Sequence, residues 1–252
     1  MLDISHLTVR FGGITALHDV GFTVAPGEMV GLIGPNGAGK TTLFNCMTRR
    51  YEPDSGTLRY LGADLAAVRP DALAGLGIAR TFQNLGLFPH LSVRDNVLVG
   101  AHHRAGAGFV SAALRLPRVR REERRLRTEV DALIERLDLA DVAEHPASGL
   151  PFGTLKRIEL ARALAVEPRL LLLDEPVNGL SHGEVGEFAD QLRTLRDELD
   201  LTVIVVEHHM GFVMGLCDRV VCLEFGRVIA EGTPDVVRGD PAVIRAYLGT
   251  AA

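Results

Sequence analysis

The sequence has few cysteines and no excess of basic residues, and each shortage excludes a class of protein. Its three cysteines, Cys46, Cys217 and Cys222, form no Cys-x-x-Cys pair, so we interpret them as packed, reduced thiols rather than a redox motif. Lysine and arginine together number 27 against 32 acidic residues, which gives a net charge of −5. A general nucleic-acid binder carries a basic excess, so we expect no nucleic-acid partner.

Long apolar runs are also missing. The longest, such as residues 170–173 and 201–206, are far shorter than the roughly 20 residues that a membrane-spanning helix needs. Residues 1–4 include no basic stretch leading into an apolar core, so we expect no secretory signal and a cytoplasmic location. With 252 residues, 47% of them hydrophobic, the chain can bury a full core as one large α/β domain or as a domain with a lobe.

The strongest motif is glycine-rich and occupies residues 34–41. It reads Gly-Pro-Asn-Gly-Ala-Gly-Lys-Thr, the form G-x-x-x-x-G-K-[ST] of a phosphate-binding loop. An apolar run at 29–33 predicts a strand before it, and a helix-like stretch begins at Thr42. The glycines let successive backbone N–H groups face one anion, and the helix start adds its positive dipole end. A glycine-rich turn with a surface lysine does not require this whole pattern, so we predict a nucleoside triphosphate site.

Two side chains of this loop have chemistry of their own. Lys40 can reach the β- and γ-phosphate oxygens, and the hydroxyl of Thr41 is placed to ligate Mg²⁺. We therefore predict a nucleoside triphosphate and Mg²⁺ as ligands, and the family resemblance given below implies that the nucleotide is ATP. The predicted nucleotide-binding residues of the loop are Gly34, Pro35, Asn36, Gly37, Ala38, Gly39, Lys40, Thr41 and Thr42.

Two adjacent acids form the second strong signal. Asp174 and Glu175 follow four leucines, so a buried strand places them at the carboxyl edge of the sheet, where ligands of α/β folds gather. A strand end that merely meets solvent accounts for one acid more easily than for two. We predict that Asp174 holds Mg²⁺, through coordinated water, and that Glu175 orients an attacking water.

The remaining pattern is a sheet-and-helix core interrupted by a helical insertion. Continuous apolar runs at 170–173 and 203–206 are typical of parallel strands covered on both faces. Between about 92 and 139 strand signals almost vanish, and Ser92 begins a capping-box-like sequence that predicts a helix from Val93. Residues 118–127 contain six arginines and two glutamates, for which we favour a solvated helix face over a lipid or partner contact. Other predicted strands are residues 2–11, 20–24, 202–206 and 219–223.

With three further segments, the pattern resembles the ATP-binding-cassette (ABC) ATPases nearly end to end. Gln83 lies where that family keeps its Q-loop glutamine, which contacts the metal or the attacking water. His208 follows a strand and matches the switch histidine that touches the γ-phosphate, with His209 as the alternative. Phe11 matches the aromatic platform for adenine, a stacking contact of about 1–3 kcal/mol, and the competing interpretation is a core phenylalanine.

The signature segment departs from the family pattern. Residues 150–154 read Leu-Pro-Phe-Gly-Thr where the family has Leu-Ser-Gly-Gly-Gln, so only Leu150 and Gly153 match. Proline at 151 supplies neither a hydroxyl nor a backbone N–H. The N–H of Gly153 and the following helix, predicted over 155–165, must then do more of the anion binding. Similar degenerate signatures occur in ATPases of amino-acid importers, so we interpret the segment as a variant rather than an inactive site.

The resemblance implies a fold and an assembly. The fold is an α/β P-loop NTPase core, with a mixed, largely parallel sheet and an N-terminal antiparallel β subdomain. A helical subdomain of about residues 85–165 is inserted, and residues 1–252 form a single ABC ATPase domain. In the family, the phosphate loop and the signature of opposite subunits enclose one ATP, so the resemblance implies a second ABC ATPase subunit, identical or related. Ser181 stands where the D-loop of the family usually has aspartate.

Several segments resemble the LivG-type ATPase of branched-chain (hydrophobic) amino-acid importers. The match implies membrane permease subunits, an external substrate-binding protein and a peripheral location at the cytoplasmic face of the membrane. In the family, the region of Phe82, Leu85, Leu87 and Phe88 docks a coupling helix of the permease, and packing within the chain is the alternative role. The matching segments are residues 80–83, 91–100, 207–210, 213–219, 231–234, 240–241 and 245–249.

Three other functions stay open from the sequence. Urea and short-chain amide importers use nearly the same ATPase. A non-transport ABC ATPase, such as one for iron–sulfur cluster assembly, is a second alternative. A nucleotide-binding adaptor that hydrolyses ATP poorly, because of Pro151 and Ser181, is the third.

Overall fold

The computed structural model describes residues 1–82, 85–105 and 117–248, and for residues 118–120 the backbone alone. Packing of Cα atoms divides the chain into two compact units. One comprises Met1–Leu73 and Leu172–Ala252, and the other comprises Ala74–Leu171. The assignment of the whole chain to one ATPase domain, with a helical subdomain at about 85–165, stays a prediction.

Strands and helices alternate from residue 170 to residue 224, and elsewhere they come in runs. The strands are β1 (Leu2–Phe11), β2 (Ile14–Val24), β3 (Met29–Ile33), β4 (Ser55–Tyr60), β5 (Ala63–Asp64), β6 (Ile78–Arg80), β7 (Leu170–Asp174), β8 (Thr202–Val206), β9 (Arg219–Glu224) and β10 (Arg227–Gly232). The α-helices are α1 (Lys40–Met47), α2 (Val93–Ala101), α3 (Pro117–Arg136), α4 (Phe152–Leu164), α5 (His182–Leu199), α6 (Met210–Leu216), α7 (Pro234–Gly239) and α8 (Pro241–Leu248). Short 3₁₀ turns lie at Leu65–Ala67, Pro70–Ala72, Ala74–Leu76, His102–Arg104 and Ala140–Val142.

The strands form two sheets. One has the order β2-β1-β4-β5 and is antiparallel throughout, which confirms the N-terminal antiparallel β subdomain. The other has the order β10-β9-β3-β8-β7-β6. In it β3 pairs in parallel with both β8 and β9, whereas β10 runs antiparallel to β9. The predicted α/β fold with a mixed sheet is confirmed.

The centre of the second sheet is buried. Every residue of β3, β7 and β8 is buried, as the continuous apolar runs predicted. Because neighbouring parallel strands end at one edge of the sheet, the residues that follow these strands are brought to the same edge.

Two helix starts differ from the sequence prediction. Helix α1 begins at Lys40 rather than Thr42, because Gly39 adopts a left-handed conformation that lets the helix begin at once. Helix α4 begins at Phe152 rather than at residue 155. Pro151 occupies the N-cap position, and its carbonyl accepts a hydrogen bond from Leu155 N at 3.0 Å. The N–H groups of the signature segment therefore belong to the first turn of α4.

The helical middle agrees with its predicted pattern where it is described. Residues 92–105 and 117–139 contain no strand, and Ser92 caps α2 by accepting a hydrogen bond from Asp95 N at 3.0 Å. On α3 the arginines 121, 124, 125 and 127 are exposed, while Leu126 between them is buried. Arg125 pairs with Glu129 at 2.7 Å, one turn further on. This arrangement is a solvated helix face, as we favoured; the side chains of Arg118 and Arg120 lie outside the description.

Asn96 ties the loop before α2 to the helix. Its side chain is fully buried. Its Oδ1 accepts a hydrogen bond from Phe88 N at 2.8 Å, and its Nδ2 donates to Phe88 O and Ser92 O, each at 3.0 Å. One amide thus fixes the backbone at both ends of the segment 88–92.

Replacing Asn96 with alanine is expected to lower the free energy of unfolding by about 1–3 kcal/mol, because it removes a fully buried amide and leaves the Phe88 N–H without its acceptor. Denaturant titration followed by circular dichroism measures the change. Val99 lies on the same helix and is exposed, so Val99→Ala is a matched control with little expected effect. Equal midpoints for Asn96→Ala and Val99→Ala would contradict the role assigned to the amide.

The cysteines are buried and free, which confirms their interpretation as packed thiols. Burial raises the pKa of Cys46 and of Cys222 to about 11, and that of Cys217 to about 12. Among the described helices, none combines the length and the apolar character needed to cross a bilayer.

Candidate nucleotide site

The phosphate loop lies between β3 and α1, as its sequence predicted. Lys40 is the first residue of α1, and its Nζ donates hydrogen bonds to Gly34 O at 2.6 Å and to Pro35 O at 3.0 Å. The lysine therefore folds back across the loop toward its beginning. Asn36, Gly37 and Thr41 are exposed, and Thr42 is half-buried. The loop presents one face to solvent, with Lys40 beside it.

Two glycines of the loop have no space for a side chain. A methyl group on Gly34 would lie 2.1 Å from Leu223 O, and Gly34 has a φ of +145°. A methyl group on Gly39 would lie 2.8 Å from both Ala16 O and a methyl of Leu17, at a φ of +104°. The ends of β2 and β9 therefore support the loop from behind and fix its curvature.

Asp174 and Glu175 lie at the carboxyl end of β7. Asp174 is the last residue of the strand and is buried. Glu175 turns the chain with a φ of +48°, and its N–H donates to Val206 O, at the end of the neighbouring strand, at 2.9 Å. Its Oε2 accepts a hydrogen bond from Asn178 Nδ2 at 3.2 Å. The turn after β7 is thus joined to the end of β8.

The two adjacent histidines have different surroundings. His208 Nδ1 lies 3.9 Å from Glu175 Oε1, and its side chain is more than half exposed. His209 is the N-cap of α6, where its Nδ1 accepts a hydrogen bond from Phe212 N at 3.1 Å. Because His209 is engaged in capping, the geometry favours His208 as the histidine that faces a ligand beside Glu175.

Charge also converges on the loop. Burial lowers the pKa of the Lys40 ammonium, and the carboxylates of Glu175 and Asp174 oppose that shift. The acids after β7 therefore lie close enough to Lys40 to act on its charge. The structure thus brings together the phosphate loop and the acidic pair, which the sequence predicted separately.

Phe11 is not a core residue. Its side chain is nearly half exposed, and its ring meets the edge of Tyr51 with centroids 5.1 Å apart. The structure therefore excludes the core interpretation, and an aromatic face remains open at the end of β1. Adenine stacking stays a prediction.

The signature segment belongs to the other unit. Leu150 is half-buried and Gly153 is buried in the first turn of α4. Phe152 is exposed at the position of the first glycine in the family pattern, and the buried Lys156 Nζ lies 5.6 Å from the centre of its ring. An aromatic–ammonium pair thus stands where the family has a small residue.

Gln83 lies outside the described residues, but the chain on both sides of it is well fixed. Phe82 N donates a hydrogen bond to Glu159 Oε1 at 2.7 Å. The guanidinium of Arg162 donates to Leu85 O at 2.7 Å and to Gly86 O at 2.6 Å. Both charged side chains come from α4, the helix that the signature segment opens.

The sequence patterns assign no role to Glu207, which the structure places beneath the site. This carboxylate is fully buried and accepts hydrogen bonds from His208 N at 2.9 Å, His209 N at 3.1 Å and Val177 N at 3.0 Å. It joins the turn after β8 to the turn after β7. The available signal was an acid directly after a buried strand, the same pattern that pointed to Asp174.

Comparison with known proteins agrees with this geometry. A family model described as ABC transporter matches residues 17–178. A second, described as branched-chain amino acid ATP-binding cassette transporter, matches residues 227–252. The high-affinity branched-chain amino acid transport ATP-binding protein LivG of Escherichia coli (strain K12) is 39% identical over 251 residues, covering 100% of this chain and 98% of the relative.

Solved structures give the same result. The crystal structure of the ADP conformation of an ABC transporter cassette superposes with a TM-score of 0.84 at 28% identity, covering 99% of this chain and 98% of that one. A dimeric cassette in a post-hydrolysis state, bound to ADP and Pi, superposes with a TM-score of 0.77 at 25% identity, covering 93% and 99%. This chain therefore belongs to the ABC transporter family, as a nucleotide-binding, ATP-hydrolysing subunit of the group that includes LivG.

Proposed function

We propose that this chain hydrolyses ATP to power the import of branched-chain or other hydrophobic amino acids through partner permeases. The observation that carries the proposal is the meeting of Lys40, Asp174 and Glu175 at one edge of the sheet. The full-length similarity to LivG and the match of residues 227–252 support the choice of substrate class.

Each group at the edge has one task in the proposal. Lys40 and the loop N–H groups bind the phosphates of ATP. Glu175 polarises the attacking water. His208, whose Nδ1 lies 3.9 Å from Glu175 Oε1, contacts the γ-phosphate. Gln83 is the third proposed catalytic residue. Glu207 holds His208 in place, because its carboxylate accepts hydrogen bonds from the backbone N–H groups of His208 and His209.

The donors at this edge also suit Mg²⁺. The Thr41 hydroxyl and the Asp174 carboxylate are hard oxygen ligands, the kind that Mg²⁺ binds together with phosphate oxygens. Thr41 is exposed at the start of α1, and Asp174 ends β7. We propose that Thr41, Asp174 and Gln83 hold the metal ion. When bound, Mg²⁺ would neutralise charge on the phosphates.

We propose that Phe11 stacks on adenine. Its exposed ring already rests against Tyr51, so the platform is held before the nucleotide arrives. A preformed platform reduces the loss of side-chain freedom on binding.

The signature segment can contact ATP in this way only if two ATPase subunits meet. Leu150 and Gly153 are proposed to cap the γ-phosphate that the opposite subunit holds. Because α4 begins at Phe152, the N–H of Gly153 lies in the first helical turn and is available to an anion despite Pro151. ATP would then bind the closed pair more tightly than ADP, and hydrolysis would open the pair.

The proposal places the chain at the cytoplasmic face of the membrane, on its permease subunits. Three apolar side chains of the second unit are available for that contact: Phe82, Phe88 and Leu91 are each more than one-third exposed. Leu85 and Leu87 are only half-buried and can join the patch. A substrate-binding protein outside the cell would choose the amino acid. We propose that residues 1–252 act as one ABC ATPase domain with the helical part at about 85–165.

Reconstitution of the whole transporter in liposomes tests the proposal. This chain, the permease subunits that co-purify with it, the binding protein and ATP are combined, and uptake of labelled leucine, valine and isoleucine is measured. We expect ATP-dependent uptake that is lost in the Lys40→Ala variant.

Other substrates distinguish the alternatives. Uptake of urea or a short-chain amide, without uptake of leucine, would show that the transporter is an amide importer rather than an amino-acid importer. Co-purification with soluble cluster-assembly proteins and no permease would indicate a non-transport ATPase. ATP binding without phosphate release by the reconstituted complex would indicate an adaptor.

A further inference from the structure

The C-terminal helix reaches the phosphate loop. Tyr247 lies in α8, within the Arg-Ala-Tyr-Leu-Gly segment at 245–249 that resembles branched-chain importers. Its hydroxyl accepts a hydrogen bond from Gly34 N at 2.8 Å, across 213 residues of sequence. Gly34 is the first residue of the loop, so the last described helix holds the point where the loop leaves β3.

Gly34 is held through both of its backbone polar groups, the N–H in the peptide plane before its Cα and the carbonyl in the plane after it. Its N–H donates to Tyr247, and its carbonyl accepts the hydrogen bond from Lys40 Nζ at 2.6 Å. The residue is buried, and a methyl group on it would lie 2.1 Å from Leu223 O. The two peptide planes meet at the Gly34 Cα, so losing the hydrogen bond that fixes the first plane relaxes the φ and ψ angles that position the oxygen against which the Lys40 ammonium rests.

The hydroxyl keeps its role as a neutral acceptor at working pH. Burial raises the pKa of Tyr247 to about 12, the Gly34 N–H opposes the shift, and Cys222 nearby adds to it. The phenol therefore stays protonated at neutral pH, and the Gly34 N–H meets a neutral oxygen rather than a phenolate.

We propose that Tyr247 is a positioning residue of the ATP site, acting through Gly34 on the loop and on Lys40. Its hydroxyl is hydrogen-bonded to the start of the loop, whereas the attacking water is proposed to lie beside Glu175 and His208. The residue should therefore affect how tightly ATP is bound and leave the hydrolytic step alone. The inference rests on the proposed binding of ATP by the loop. It assigns the C-terminal helix a role in that binding.

The test is Tyr247→Phe in the full chain, which removes one oxygen and keeps the ring. Loss of one hydrogen bond of this kind predicts an increase of about three- to tenfold in the dissociation constant of MgATP. We expect KM for ATP to rise by a similar factor with kcat unchanged. Ile244→Ala alters an exposed apolar residue of the same helix and serves as the control with wild-type affinity.

A spectroscopic reading follows the bond itself. With ¹⁵N-glycine labelling, the Gly34 amide should exchange with solvent faster in Tyr247→Phe than in Ile244→Ala or the wild type. Unchanged KM and dissociation constant in Tyr247→Phe, with or without a lower melting temperature, would overturn the proposal. A wild-type chain that binds no MgATP would instead overturn the nucleotide site as a whole.

Discussion

Replacing Glu175 with glutamine is expected to lower ATP hydrolysis by about 10²- to 10³-fold, the effect of losing a general base. Glutamine keeps the shape of the side chain and its approach to Asn178 and His208, but it cannot accept a proton at neutral pH. ATP binding should persist, because Lys40 and the loop are unchanged. Phosphate release by the reconstituted transporter and equilibrium binding of MgATP measure the two properties separately.

A matched variant tests whether the position matters rather than the charge. Glu187 is an exposed glutamate on α5, and Glu187→Gln should hydrolyse ATP at the wild-type rate. If hydrolysis opens the pair of subunits, as we propose, Glu175→Gln should elute as a dimer with ATP and as a monomer with ADP. A Glu175→Gln protein that binds ATP and hydrolyses it as fast as the wild type would remove Glu175 from the reaction.

Replacing Gly34 with alanine should cost about 3 kcal/mol of stability or more, and it should abolish ATP binding. The new methyl would lie 2.1 Å from Leu223 O at a positive φ, so either the strand end or the loop must shift. That shift would also displace the carbonyl that Lys40 contacts. Thermal unfolding and MgATP titration, performed on the same preparation, report both effects.

The control for Gly34→Ala is another glycine-to-alanine substitution, at a position where the added methyl group contacts nothing. Gly186 lies on α5, and a methyl group there meets nothing within 4 Å. Gly186→Ala should raise stability by about 0.5–1 kcal/mol through helix propensity, with ATP affinity retained. If Gly34→Ala bound ATP like Gly186→Ala, the close support of the loop by β9 would not matter for nucleotide binding.

Chemical necessity made parts of this molecule predictable from sequence. A phosphate needs several N–H groups and a cation in one place, so residues 34–41 carry a fixed pattern. A strand covered on both faces needs a continuous apolar run, so β3, β7 and β8 were located correctly. The acids after β7 followed from the strand that they end.

Other parts depend on contacts that are distant in sequence. β4 and β10 are partly exposed and mix polar with apolar residues, so no run marks them. The start of α4 was misplaced because Pro151 caps the helix, a choice that depends on its backbone rather than on periodicity. The bond from Tyr247 to Gly34 joins opposite ends of the chain and leaves no local pattern. Glu207 acts only through backbone groups that the fold assembles around it.

The three native cysteines have a practical consequence for work on this ATPase. Maleimide dyes react with the thiolate, and burial keeps the side chains at 46, 217 and 222 in the unreactive protonated form near neutral pH. A single cysteine placed at an exposed position such as Val236 would then take up the label selectively. Distances between fluorophores on two labelled subunits can therefore test the proposed opening and closing during turnover, without first engineering a cysteine-free background.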